Sequence, residues 1–173
     1  MSMAPDLRKF ALTVHVIVSV SWAGAVAAFL ALAIAGLVHP DVQLVRASYL
    51  AMDLIYRAVV IPLGLGSLAT GLVSSLVTEW GLLRHYWVLM KLVLTIPASI
   101  LMLVHAPPVG HMAGAAVATR LSSTDLSGLR IQLVVYAGTA LLVLLVATAL
   151  STYKPRGRTW YGARRYAEAS SPR

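Results

Sequence analysis

Four long runs of apolar residues, separated by short polar segments, dominate the sequence. They cover about residues 10–37, 58–77, 86–105 and 131–153. Each run offers the roughly 20 apolar residues that a helix needs to cross a bilayer. The first run contains no Asp, Glu, Lys or Arg. The pattern predicts an all-α fold in which residues 1–153 form a four-transmembrane-helix bundle.

The composition also indicates a membrane protein. Hydrophobic residues make up 59% of the chain, charged residues 12%, and the mean hydropathy is +0.81. A water-soluble chain of this length has too little interior to bury so many apolar side chains. The formal charge of +8 does not indicate a nucleic-acid partner, because six of the 14 Lys and Arg lie in the tail at residues 154–173. The chain has no cysteine, which excludes disulfides and thiolate metal ligands.

The distribution of basic residues predicts the orientation of the bundle. Four spans place both termini on the same side. That side, with the turn between the second and third spans, carries ten Lys and Arg, while the other side carries four. Because cytoplasmic segments of membrane proteins are enriched in Lys and Arg, we expect both termini in the cytoplasm. Residues 154–173 are then a basic cytoplasmic tail, and the protein is a multi-pass protein of the cell membrane.

Two segments outside the spans have a mixed pattern. Residues 42–57 contain Asp53 and Arg57, which are four residues apart and so share a helical face, as at the entrance to the second span. Residues 106–128 begin with a pair of prolines after Ala106 and contain many small residues. We expect a loop there, with room for a short amphipathic helix.

Two of the spans carry a face of small or polar residues that predicts helix packing. In the second span this face consists of Gly64, Ser67, Gly71, Ser74 and Ser75. Small residues at this spacing let another helix approach closely in a membrane. In the third span the residues that share a face are Lys91, Thr95, Met102 and His105. We expect both faces to point into the bundle.

The polar residues inside the spans are the candidates for function. His15 is the single ionisable residue of the first span, and an imidazole in hydrocarbon needs a partner or a chemical role. Trp22 follows seven residues later, near the same helical face. Lys91 enters its span to a depth similar to that of His15, so the two side chains are expected near each other. A second cluster is expected towards the outer surface, formed by His105, Gln132, Tyr136, Asp53 and Arg57.

A resemblance to known families rests on two stretches of the sequence. The first is RKFALTVHVIVSVSWAGAVAAFL, which is similar to the first helix of the HemJ-type protoporphyrinogen oxidases and of copper-resistance D-like membrane proteins. The second is HYWVLMKLVLTIPASILMLVH, which resembles a later helix of the same group. The resemblance implies a haem-associated pair, His15 and Lys91. The oxidases' Leu-Pro-Arg segment is absent, and the chain as a whole looks more like small bacterial four-helix membrane proteins of unestablished function.

Two hypotheses of function remain open at this point. In the first, the bundle binds haem b for redox chemistry or haem handling, as a haem-dependent oxidoreductase if it is an enzyme. His15 would then bind the haem iron, with Trp22 beside the ring, and the candidates for a second contact are Lys91, His85 and Met102.

In the second hypothesis, His15 makes a structural hydrogen bond to a neighbouring helix. The protein is then a non-enzymatic accessory subunit, scaffold or small-molecule carrier, with a membrane protein or a second copy of itself as its expected partner. The sequence shows no zinc-ligand spacing, glycine-rich phosphate loop or nucleophile elbow.

Overall fold

The computed structural model describes residues 5–77, 86–118 and 126–153, and nearly all of them are helical. In chain order these parts form α1 (Pro5–Val38), α2 (Val42–Ile55), a π-helical segment (Tyr56–Val60), α3 (Ile61–Val77), α4 (Tyr86–Val104), α5 (Ala106–Val117) and α6 (Ser127–Tyr153). The expectations for the turn with His85, the segment at 119–125 and the basic tail fall outside the described residues.

Within the described residues, four stretches of helix are long and apolar enough to cross a membrane. They are Asp6–Val38, Val42–Ser75, Leu89–Val117 and Ser127–Ser151. The all-helical fold and the four long apolar helices predicted from the sequence are thereby confirmed. The second and third stretches are longer than the apolar runs indicated, because α2 continues into α3 and α5 follows α4 after a single turn residue, His105.

Large apolar side chains cover much of the outer surface of these helices. Phe10 is 65% exposed, Val93 62% and Leu142 62%, and each belongs to a different helix. Water-soluble monomers rarely expose apolar surface on this scale. Helices also satisfy their own backbone hydrogen bonds, which is the condition for a stable segment in hydrocarbon. The surface therefore fits an apolar solvent better than water.

α1 is the central helix and packs against α2, α3 and α6. Its buried stripe consists of Trp22, Val26, Phe29 and Ala33, which recur at steps of three or four residues. Near its end, a Cβ on Gly36 would lie 2.6 Å from Cζ of Tyr49 in α2. This contact requires glycine because no side chain fits between the two helices there.

The small-residue face of α3 packs against α1, as the sequence predicts. Gly71 lies against the His15 ring, Ser67 Oγ is 2.8 Å from Ser19 Oγ, and Ser74 Oγ donates to the carbonyl of Ala11 at 3.3 Å. Ser75 differs, because its hydroxyl donates to the Leu72 carbonyl of its own helix. Close packing and interhelical hydrogen bonds together hold this pair of helices.

The π-helical segment joins α2 to α3 without a break. Its wide turn is closed by the N–H of Ile61, which donates to the carbonyl of Tyr56 five residues earlier. Tyr56 is buried, and its hydroxyl donates to the carbonyl of Met102 in α4. Single π turns are uncommon and are frequently found at functional sites. Here the turn ties the second long helix to the end of α4.

The break between α4 and α5 at His105 follows from two prolines. Pro107 and Pro108 have no N–H to donate to the carbonyls of Leu103 and Val104, so α4 cannot continue with its normal bonds. The same prolines suit the first turn of a new helix, where the N–H groups lack intrahelical partners. Part of the expected loop at 106–128 is therefore the helix α5, which packs on α2.

Candidate functional site

A cavity of 330 Å³ lies among α1, the π-helical segment, α4, α5 and α6. Most of its wall is apolar, from side chains such as Val26, Val60 and Leu133. The lining side chains that contain a polar atom or sulfur are Trp22, Tyr56, Met102, His105, Tyr136 and Thr139. Of the residues singled out from the sequence, Trp22, Met102, His105 and Tyr136 thus line one cavity. Its volume falls within the roughly 300–1,000 Å³ of ordinary small-molecule sites, at the lower end.

The helix break next to the cavity fixes the hydrogen bonding of His105. The Nδ1 atom of His105 lies 2.6 Å from the carbonyl oxygen of Leu101, which also accepts the backbone N–H of His105 at 3.0 Å. A carbonyl oxygen only accepts hydrogen bonds, so this geometry assigns the ring hydrogen to Nδ1. In the neutral imidazole, Nε2 then carries a lone pair that is open to a hydrogen-bond donor or a metal ion.

The ring of Tyr136 in α6 packs against the His105 ring. The two ring centroids are 3.6 Å apart and the rings are tilted by 67°, in an edge-to-face contact. The hydroxyl of Tyr136 accepts a hydrogen bond from Nε2 of Gln132 at 3.0 Å. These contacts bring together His105, Gln132 and Tyr136, three members of the cluster expected towards the outer surface.

The other two members of that cluster form the ion pair expected from their spacing. Nε of Arg57 lies 2.7 Å from Oδ1 of Asp53. The guanidinium also packs on α5, because a Cβ on Gly110 would lie 2.7 Å from Nη2 of Arg57. The pair is partly exposed and does not line the cavity, so its part in the fold is to hold α5 against the second long helix.

Trp22 lines the cavity with its ring, but its polar atom is buried away from the open space. Its side chain is 3% exposed, and its Nε1 has no hydrogen-bond partner among the described residues. Gly64 of α3 makes room for the indole, since a Cβ there would lie 3.0 Å from Cε2 of Trp22 and 2.7 Å from Sδ of Met102. A buried N–H without a partner costs about 1–3 kcal/mol, which the packing of the ring must offset.

His15 lies between α1 and α3 and is not among the residues that line this cavity. Its Nδ1 is 3.1 Å from Oγ1 of Thr70. Because the Thr70 hydroxyl donates its hydrogen to the Gly66 carbonyl at 2.7 Å, His15 is the donor in this pair. The bond connects neighbouring helices in the manner that the structural interpretation of His15 expects.

Lys91 also makes its contact away from the cavity wall. Its Nζ donates to the hydroxyl of Ser151 in α6. The hydrogen bonds of His15 and Lys91 described here thus go to two different helices, α3 and α6. Binding of a cofactor by either residue remains a prediction from the resemblance.

The haem fits the described residues only in part. In its favour, histidines that bind metals usually donate their second ring nitrogen to a carbonyl or carboxylate, as His105 does. Against it, Met102 is three residues before His105 on the same side of one helix, so the two cannot oppose each other across a ring. The part of the cavity wall that the structure describes holds no Lys or Arg to pair with the haem carboxylates. Among the described residues, no group of three or more His, Cys, Asp or Glu is placed to hold a metal ion.

Comparison with known proteins adds no relative from which a function might be inferred. No family model, no curated protein and no solved structure matches this chain. The resemblance to the HemJ-type and copper-resistance D-like proteins therefore stays a prediction.

His105 and Tyr56 both line the cavity, and neither is among the cofactor candidates predicted from the sequence. The sequence predicts that His105 lies at the outer end of its span, but it carries no signal that the Leu101 carbonyl, which also accepts the backbone N–H of His105, fixes the ring hydrogen. The sequence predicts that Tyr56 lies at the entrance to the second span. It contains no signal for the π turn at this position.

Proposed function

We propose that this chain is a multi-pass protein of the cell membrane that binds an apolar small molecule inside its helix bundle. The apolar outer surface and the four helices long enough to cross a bilayer support the membrane location. The ten-to-four distribution of Lys and Arg supports cytoplasmic termini.

The cavity carries the proposal of ligand binding. A mostly apolar wall with a few polar groups is typical of small-molecule sites, where burial gives affinity and the polar groups give orientation. The observation that favours a binding site over an inert void is His105, which lines the cavity and whose Nε2 is an acceptor because the Leu101 carbonyl holds the ring hydrogen at Nδ1. A hydrogen-bond donor on a bound molecule would satisfy this acceptor. This arrangement suits a non-enzymatic small-molecule carrier, because the groups at the wall bind and orient a molecule.

The proposal is tested by filling the cavity. Ala137 lies on the cavity wall in α6 and is 6% exposed, so Ala137→Phe would place a phenyl ring in the space available to a ligand. We expect wild-type protein in lipid nanodiscs to bind 2-methoxynaphthalene above the background of empty nanodiscs, and the variant to lose that binding. The matched control is Ala149→Phe, an exposed position of the same helix, which should bind normally.

A variant with a smaller volume change guards against misfolding. Ala140→Leu, also at the wall, should weaken binding without preventing assembly. Binding that is unchanged in both wall variants would refute the proposal, as would a wild type that binds neither 2-methoxynaphthalene nor its hydroxyl analogue 2-naphthol.

Haem b binding is the second candidate, and the bond from His105 Nδ1 to the Leu101 carbonyl favours it. The test is the absorption spectrum of purified protein incubated with hemin. A Soret band that survives His15→Ala and disappears in His105→Ala would support haem ligation at the cavity. A Soret band that survives His105→Ala and disappears in His15→Ala would indicate that His15 binds the haem. A preparation without any Soret band would reject haem binding.

A further inference from the structure

The open side of the cavity faces the lateral surface of the bundle. Val93 and Leu101 of α4 line the cavity and are 62% and 38% exposed, and Thr139 of α6 is an exposed lining residue as well. These positions lie on the long faces of the helices rather than at their ends. In a membrane this opening meets hydrocarbon, so a ligand reaches the cavity from the lipid phase and must itself dissolve there.

The aromatic side chains of the wall favour a flat ligand. Phe29 and Tyr56 both line the cavity, with ring centroids 5.3 Å apart and a tilt of 47°. Trp22 and Tyr136 contribute two more rings to the wall. Aromatic rings gain additional stabilisation from stacked or edge-to-face contacts with one another. An aromatic molecule therefore matches this wall better than a flexible aliphatic one.

A polar group at the wall defines the hydrogen bond that the ligand should make. Nε2 of His105 is an acceptor, because the Leu101 carbonyl holds the ring hydrogen at Nδ1. A hydroxyl group has a hydrogen to donate, so it suits a wall that offers an acceptor.

We propose that the ligand is a neutral, membrane-dissolved hydroxyaromatic molecule whose hydroxyl donates to Nε2 of His105. The inference rests on the proposed function, since it specifies the class of molecule bound in the same cavity. Because Nε2 of His105 accepts a hydrogen bond, it is the atom that distinguishes a ligand with a hydroxyl from a ligand without one.

The experiment compares two probes that differ by one hydrogen-bond donor. They are 2-naphthol and 2-methoxynaphthalene, each titrated into the full-length protein in lipid nanodiscs and corrected for partition into empty nanodiscs. We expect 2-naphthol to bind about three- to tenfold more tightly, the range that one neutral hydrogen bond supplies. His105→Phe should bind both probes with equal affinity. His111→Phe, at an exposed position of α5, should keep the preference.

A spectroscopic measurement on unmodified protein provides an independent check if His105→Phe fails to fold. The ¹⁵N resonance of His105 Nε2 should shift when 2-naphthol binds and stay in place with 2-methoxynaphthalene. Equal affinity of the wild type for the two probes, or no shift with 2-naphthol, would overturn the hydroxyl assignment and leave the proposed function standing. If neither probe binds to the wild type, the proposed function itself fails.

Discussion

At the scale of single residues, His15 shows how a titratable group is accommodated in an apolar helix. It donates to Thr70 on the neighbouring helix and packs its ring on Gly71. Interhelical hydrogen bonds of this kind contribute only about 0.6–1.7 kcal/mol in membrane proteins, because polar groups also find partners in the unfolded state in the membrane. The bond is therefore expected to stabilise helix packing modestly.

A double-mutant cycle tests this bond. His15→Ala and Thr70→Val should each lower the free energy of unfolding in detergent, and Thr70→Val by about 0.5–1.5 kcal/mol because it leaves the half-buried N–H of His15 only the longer contact to Ser19 Oγ at 3.4 Å. The double variant should be more stable than the sum of the two effects predicts, by about 0.5–1.5 kcal/mol. Thr13→Val is the control, since that exposed hydroxyl bonds only within its own helix, to Lys9. Strictly additive effects would show that the bond adds no stability.

Residue roles were predictable where they depend on a single helix and not where they depend on neighbours. The sequence indicated that His15 needs a partner, because an imidazole in hydrocarbon is costly without one. It did not identify the acceptor, which is in α3. For His105 the sequence indicated a position near the outer end of the span. Its ring hydrogen is fixed by a backbone carbonyl, and its place at the cavity depends on how α1, α4 and α6 come together.

At the scale of helices, the contact between α1 and α3 depends on Gly71. A Cβ at this position would lie 3.0 Å from Cε1 of His15, so a larger side chain must push the helices apart or displace the imidazole. We expect Gly71→Leu to lower the free energy of unfolding by about 1–3 kcal/mol, the usual cost of overpacking. Thermal unfolding in detergent measures it.

The matched control for this variant is Gly24→Leu in α1. No atom lies within 4 Å of a Cβ built there, and the position is exposed. Since leucine also favours helix formation over glycine by up to about 1 kcal/mol, this variant should be neutral or slightly more stable. Equal effects of the two substitutions would mean that the α1–α3 interface tolerates separation.

The sequence predicted the long apolar helices, whereas for α2 and α5 it indicated only segments of mixed pattern. A long run of apolar residues indicates a segment that lies in hydrocarbon or in a core, and such a run can be recognised from the local sequence alone. α5 consists largely of small residues between Ala106 and Val117, and its helical state is supported by packing on α2. That support is a tertiary contact, so the residue pattern alone cannot supply it.

At the scale of the whole molecule, the orientation in the membrane is a prediction that the lack of cysteine makes easy to test. Single cysteines replace His111, an exposed residue of α5, and Ser170 in the tail. With a membrane-impermeant maleimide, we expect labelling of His111→Cys on intact cells and of Ser170→Cys only after the cells are permeabilised. The wild type serves as the unlabelled control. Labelling with the opposite pattern would invert the proposed topology.

The π-helical segment sets the rotational phase between α2 and α3. Met52, Tyr56, Val60 and Gly64 are all buried, although they follow one another at steps of four residues. In a regular α-helix each such step turns the buried face by about 40°, or about 120° over three steps, because four residues exceed a turn of 3.6. The wider π turn absorbs much of this drift, so that all four side chains stay on the inside.

This arrangement makes the chain sensitive to length at one place along an otherwise uniform helix. Loss of one residue there restores a regular helix, and α3 then rotates by about 100° relative to α2. The face with Ser67, Thr70 and Gly71 would leave α1 even though no core side chain had been removed. In evolutionary terms, the exposed positions between Tyr49 and Gly64 should accept many substitutions, whereas the segment should accept neither insertions nor deletions.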